Sequence, residues 1–229
     1  MDGRAYLGGG GSEQDEANLW DAAFASGAHV VVWPVAHPAA ADREATGCWI
    51  VGALRRRGSF TVDVWMERAG RTALDLDGVD VIAIPGGNTF DLAHVLRADG
   101  LFTLLSSFLE RGGGVYGGSA GAVLMGADIG IASIADSNDV GLRETCGLDL
   151  VGGLDVLPHY TRGHHGVARA HHRHSGRGVL CLPEPSGVVI AGGKARNVGP
   201  AAVHVVTSSS SVTYGPGDSW STSPRRVVR

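Results

Sequence analysis

Ser119 stands between glycines in the run Gly117-Gly118-Ser119-Ala120-Gly121, where an apolar stretch gives way to helix-forming residues. A G-x-S-x-G run is the mark of a nucleophile elbow, in which the serine backbone is strained and flanking glycines remove Cβ atoms that would clash. The hydroxyl then stands up at the end of a strand. Ala120 opens a helix whose first N–H groups have no intrahelical acceptor and face any oxyanion formed there. The same five residues also describe a glycine-rich turn with an idle serine, so the elbow needs a base, an orienting acid and a second oxyanion donor.

Each has a candidate. His159 follows Pro158 at the end of the strand-like residues 154–157, and Glu184 lies between Pro183 and Pro185 after the apolar run 178–182. The prolines restrict the backbone on either side of these groups. A second glycine turn, Pro85-Gly86-Gly87-Asn88, follows residues 79–84 and can aim an N–H group at the elbow. In the plainer reading of that turn, Asn88 simply caps the next helix.

The elements that must position these groups alternate along the chain. Strands are expected at residues 5–7, 29–33, 60–66, 79–84 and 114–116, and helices at 13–26, at 39–57, through Leu92, Val95 and Leu96, and at 101–110. Continuous β-branched runs such as His-Val-Val-Val-Trp suit strands buried on both faces, and the strand–helix rhythm argues for a mostly parallel, doubly wound α/β sheet flanked by helices. Gly8 to Gly11, followed by Ser12 as a helix N-cap, reads as a wide turn at the carboxyl edge of the first strand, where ligands of open α/β sheets sit. It is neither a Walker loop nor an interdomain linker. Arg55, Arg56 and Arg57 read as a solvated helix end. Later, residues 128–134 read as a strand, and 188–191, 203–206 and 212–214 as a small hairpin region at the sheet edge. One hydrolytic domain over residues 1–214 and a loosely ordered tail over 215–229 follow from this reading.

With 44% hydrophobic residues and a formal charge of −4, the chain has a core but no electrostatic reason to bind nucleic acid or an anionic membrane. Cys48, Cys146 and Cys181 are odd in number and far apart, so they read as small core residues in a reducing compartment, and the cytoplasm is the expected location. The segment 162–177 is rich in histidine and arginine, and His164, His171 and His174 would share a helix face. Without an H-E-x-x-H pattern or a spaced carboxylate, no metal and no cofactor are expected.

Taken in order, the glycine-rich first loop, Pro-Gly-Gly-Asn-Thr-Phe, Gly-Gly-Ser-Ala-Gly-Ala, Pro-His-Tyr and Leu-Pro-Glu resemble the peptidase E family of serine peptidases, from about Leu7 to Val206. The family includes aspartyl dipeptidases and, more distantly, cyanophycinases. The resemblance implies a flavodoxin-like fold similar to class I glutamine amidotransferases, with Ser119 as nucleophile, His159 as base and Glu184 as acid. It implies an oxyanion hole from the Gly87 and Ala120 N–H groups. Arg169 looks like the arginine that grips the side-chain carboxylate of an N-terminal aspartate, which its guanidinium fork suits. Asp139 looks like an aspartate near the site, assigned to the substrate ammonium or to site architecture, with Asn88 also on the substrate side.

The implied substrate is a short peptide with an N-terminal aspartate, and a homodimer is left open. Two alternatives are a related acyl hydrolase for isoaspartyl or modified peptides, and a catalytically silent binding protein of the same fold. The acid–histidine order separates the chain from ordinary α/β-hydrolases, in which the histidine comes last; the late His204 reads as a strand residue. Departures from the family pattern are Gly118 in place of a bulky residue, Pro185-Ser186 after the acid, and the histidine-rich segment.

Overall fold

Side chains of successive strand residues point to opposite faces of a sheet, so a strand apolar at every position must be covered on both sides. The computed structural model, which describes residues 3–222, answers this with an eight-stranded sheet between two helical layers. Its elements run β1 (Arg4–Gly8), α1 (Ala17–Ala23), β2 (His29–Val32), α2 (Ala40–Arg57), β3 (Thr61–Val64), β4 (Val81–Ile84), α3 (Thr89–Ala98), α4 (Leu101–Glu110), β5 (Gly114–Gly118) and α5 (Ala120–Leu124). After these come β6 (Asp155–Leu157), α6 (His165–Ser175), β7 (Val179–Cys181), β8 (Gly187–Ala191), β9 (Lys194–Asn197), β10 (Val203–Val206), β11 (Ser211–Tyr214) and β12 (Ser219–Ser221).

The main sheet has the order β12-β9-β8-β1-β5-β4-β2-β3, parallel from β1 through β3 and antiparallel beyond β8. Alternation divides its core. Val30, Val32, Val81 and Ala83 pack with Leu19, Trp20, Ile50 and Leu54 of α1 and α2. Val31, Ile82 and Ile84 face the other way, toward Phe90, Leu92 and Leu105 of α3 and α4. β4 and β5 are neighbours, with Ile84 opposite Gly117, so the two glycine turns that follow them open side by side. The expected parallel α/β sheet is therefore present.

Several local expectations change. Residues 128–134 form a 3₁₀ turn at Ile129–Ile134 instead of a strand, because the Asp128 carboxylate accepts from Gly130 N and caps it. The helix expected at 13–26 begins only at Ala17. Ser12 and Asp15 close a separate turn through Asp15 N to Ser12 Oγ and Ser12 N to Asp15 Oδ2, and the Glu16 side chain is drawn inward.

The edge hairpin becomes half of a second sheet, β11-β10-β7-β6, because β8 takes the open edge of β1 and leaves β6 and β7 to pair elsewhere. The expected loose tail is ordered where it is described. β12 pairs with β9, and Trp220 stacks on Tyr214 at 4.2 Å between centroids; residues 223–229 lie outside the described residues. Of the cysteines only Cys181 is buried, and burial pushes its thiol up to about 12; Cys48 and Cys146 are exposed.

The arginine triplet is only partly solvated, since Arg56 pairs with Glu13 and Arg57 with Asp21, tying α2 to the α1 region. Among the described residues no single helix is long and apolar enough to cross a membrane.

Candidate active site

Ser119 directly follows β5 and precedes α5 at φ 51 and ψ −111, the strained geometry of an elbow. Ala122 N and Val123 N donate to the Ser119 carbonyl, so the new helix begins at once and turns the hydroxyl outward. Ser119 Oγ lies 2.8 Å from His159 Nε2, and His159 Nδ1 lies 2.9 Å from Glu184 Oε1. When Nδ1–H donates to the carboxylate, the Nε2 lone pair is left to accept the serine proton.

Parallel pairing of β6 and β7 brings His159 and Glu184 together across 25 residues of sequence. Leu182 N donates to Leu157 O and Tyr160 N to Leu182 O, which carries the pairing past the strand ends. His159 itself has φ 51, and its N–H donates to Gly9 O at 2.8 Å. Beyond Glu184, Ser186 N and Oγ both donate to Pro183 O and close the acid's turn.

Gly86 lies against the elbow: a Cβ there would come 3.1 Å from Ser119 Cβ. Gly87 has φ 139, and a Cβ there would press on Ala36 O and Cβ at 2.5 and 2.7 Å. Asn88 caps α3, accepting from Phe90 N and Asp91 N while donating to Ser137 O, so its side chain is used in architecture.

Two cavities flank the serine–histidine pair. One of about 300 Å³ is walled by Gly10, His37, Thr46, Trp49 and Tyr116. The other, of about 190 Å³, is largely apolar, with Val123, Ile131 and Ile134 beside Asp136 and His164.

Arg169 falls outside both cavity linings. Its Nε and Nη2 donate to Ser208 O at 3.0 and 2.6 Å, because the side chain runs from α6 to the β10–β11 turn. Asp139 is exposed, accepts from Ser137 Oγ at 2.8 Å and also lies outside the two linings. Its neighbour Asp136 is at the cavity instead and accepts from Thr89 N at 2.9 Å. Burial, with the charges of Asp139 and Asp136 and against those of His94 and His37, holds the Asp91 carboxyl above its ordinary value.

Two histidines of 162–177 serve the fold, while His164 lines the apolar cavity. His171 Nε2 meets the fully buried Asp155 at 2.6 Å, alongside Arg177 on the same carboxylate, and His165 Nδ1 meets Tyr160 OH at 3.1 Å. Among the described residues no three His, Cys, Asp or Glu side chains are grouped to hold a metal. His204 is a β10 residue bonded to Thr213 Oγ1.

Sequence reading missed His37, Trp49, Tyr116, Asp136 and Glu16. Glu16 is 1% exposed and accepts from Gly10 N, Gly11 N and Tyr116 OH. No spacing marks Glu16, which precedes α1; its bonds to the glycine loop and Tyr116 are what draw it inward.

A doubly wound α/β sheet with a strand-end serine, a histidine and a carboxylate in line defines a flavodoxin-like protein carrying a hydrolase-type elbow. The chain belongs to peptidase family S51, whose family model matches residues 61–198. It is 26% identical over 142 residues to peptidase E of Escherichia coli O1:K1, covering 57% of this chain and 60% of that protein. Over 106 residues it is 37% identical to the PdxT subunit of pyridoxal 5'-phosphate synthase from Mycolicibacterium vanbaalenii, covering 46% and 47%. The chain thus spans about half to three fifths of the length of these curated relatives.

Two solved structures share the fold at a TM-score of 0.69. One, from Listeria monocytogenes EGD-e, is provisionally named peptidase E and is 23% identical, covering 87% of this chain and 99% of that one. The other, a peptidase from an acI-B1 Actinobacterium, is 19% identical, covering 96% and 97%.

Proposed function

We propose that this protein is a serine peptidase that hydrolyses the peptide bond after an N-terminal aspartate in dipeptides or other short peptides. The observation that carries the reading is the continuous hydrogen-bond line Ser119–His159–Glu184. In the reaction Ser119 Oγ attacks the carbonyl carbon as its proton passes to His159 Nε2, and Glu184 holds the imidazolium. The oxyanion is met by the N–H groups of Gly87 and Ala120. His159 then gives its proton to the departing amine, and water, deprotonated by the same imidazole, releases the acid from Ser119.

Asp136, which lines the cavity beside Ser119, supports a substrate with a free ammonium group at its N-terminus. Selection of an aspartate side chain requires Arg169 to leave the Ser208 carbonyl. That bond favours a second reading in which isoaspartyl or modified peptides are cleaved without aspartate selection.

The deciding assay sets the purified protein against Asp-Leu, isoAsp-Leu, Glu-Leu and Ala-Leu, with Ser119→Ala alongside. Cleavage of Asp-Leu above the rest, lost in the variant, is expected. Equal cleavage of all four removes the role of Arg169, and activity surviving in Ser119→Ala removes the elbow.

A further inference from the structure

The glycine loop after β1 is held from behind by a carboxyl group that the hydrolytic line does not use. Glu16 Oε1 accepts from Gly10 N at 2.8 Å and Gly11 N at 3.2 Å, and Oε2 accepts from Tyr116 OH at 2.8 Å. Tyr116 OH in turn accepts from Trp20 Nε1 at 3.2 Å, so the side chain is anchored to the wall between α1 and β5. The loop it fixes touches His159 twice. Gly9 O accepts the His159 N–H at 2.8 Å, and Gly10, at φ 95, lies so close to the imidazole that a Cβ there would collide with Cε1 and Nε2. His159 needs such support, since φ 51 is an unfavourable backbone angle for a histidine.

We propose that Glu16 is a positioning residue for His159: its buried carboxyl locks the Gly9–Gly11 turn, and the turn fixes the backbone and ring of the base. The role rests on the proposed hydrolytic reading for its functional consequence, but the positioning can be measured separately. Both N–H donors point to the same oxygen, so an amide oxygen in that place keeps them. A methyl group does not. Gly10 and Gly11 N–H would then lose their buried acceptor and the loop its fixed distance from the imidazole. A displacement of about 1 Å at a reacting group can cost on the order of 100-fold in rate.

The test compares wild type with Glu16→Ala, Glu16→Gln and Leu19→Ala, a core truncation on the same helix that touches neither the loop nor His159. The first readout is the downfield proton NMR signal of His159 Nδ1–H, assigned by its loss in His159→Gln. The second is the rate at which a fluorophosphonate modifies Ser119. Glu16→Ala should lose or broaden the signal and react on the order of 100-fold more slowly. Glu16→Gln should keep the signal and most of the rate, and Leu19→Ala should keep both despite a lower Tm.

An unchanged His159 signal in Glu16→Ala overturns the proposal, as does equal loss in Leu19→Ala at matched Tm. If wild-type Ser119 does not react, the peptidase reading fails, and the NMR comparison still decides the role of Glu16.

Discussion

Ser119 and His159 are hydrogen-bonded at 2.8 Å, and each holds a backbone φ of 51. Among the described residues only Asp149 joins them as a non-glycine residue with positive φ. Both partners of the reacting pair therefore stand in a conformation that costs on the order of 1–3 kcal/mol each. Neighbouring structure supports that cost: β5 and α5 grip the serine from both sides, and Gly9 O holds the histidine N–H.

The strain predicts opposite effects on stability and reaction. Ser119→Gly should raise the free energy of unfolding by about 1 kcal/mol, since glycine adopts the angle without steric penalty. Peptide hydrolysis should fall by about a million-fold, as for loss of an activated serine elsewhere. Urea denaturation and steady-state kinetics on the same preparation check both. A destabilised Ser119→Gly would show that the elbow is not strained.

Gly87→Ala should damage both fold and reaction. At φ 139 the added methyl meets Ala36 O and Cβ, so the turn after β4 must shift. Stability should fall by about 1–3 kcal/mol. If the N–H moves off the oxyanion, the barrier should rise by about 2.7–4 kcal/mol. The effect belongs in kcat more than KM, because the charge it stabilises is greatest in the transition state. A variant with normal kcat would remove Gly87 from the oxyanion hole.

Glu16 predicts a pH dependence of stability. Burial raises its carboxyl from 4.5 to about 7, with Tyr116 OH and the Gly10 and Gly11 N–H groups pulling the other way. The folded chain thus holds this proton more tightly than the unfolded chain. The contribution is fully present below the unfolded value and is lost as pH rises through about 7. The loss is on the order of 3 kcal/mol at alkaline pH. Glu16→Gln should remove it, so denaturant unfolding at about pH 5 and about pH 8 should show a smaller fall in the variant than in wild type. Parallel pH curves would mean that Glu16 does not titrate in this range.

The strands β2, β4 and β5 and the helices α3 and α4 were legible because each is a short apolar run or a periodic one bounded by Gly, Pro or a cap. The 3₁₀ turn after Asp128 was not. Its isoleucines suit a strand equally well, and the choice is made by one carboxylate bonding Gly130 N. Arg169 shows the same limit: sequence order places a guanidinium after His159, but only the packing of α6 against the β10–β11 turn sends it to Ser208 O.

By itself the sequence determined the serine elbow, the second glycine turn beside it, and the histidine and glutamate at later strand ends, because backbone strain and strand termination are local properties written in Gly and Pro. Tertiary structure alone decided that His159 and Glu184 meet across adjacent parallel strands, that Asp136 instead of Asp139 reaches the cavity, and that Glu16 turns inward beneath the glycine loop. These depend on pairing and burial between segments far apart in the chain, and no spacing along the sequence encodes them.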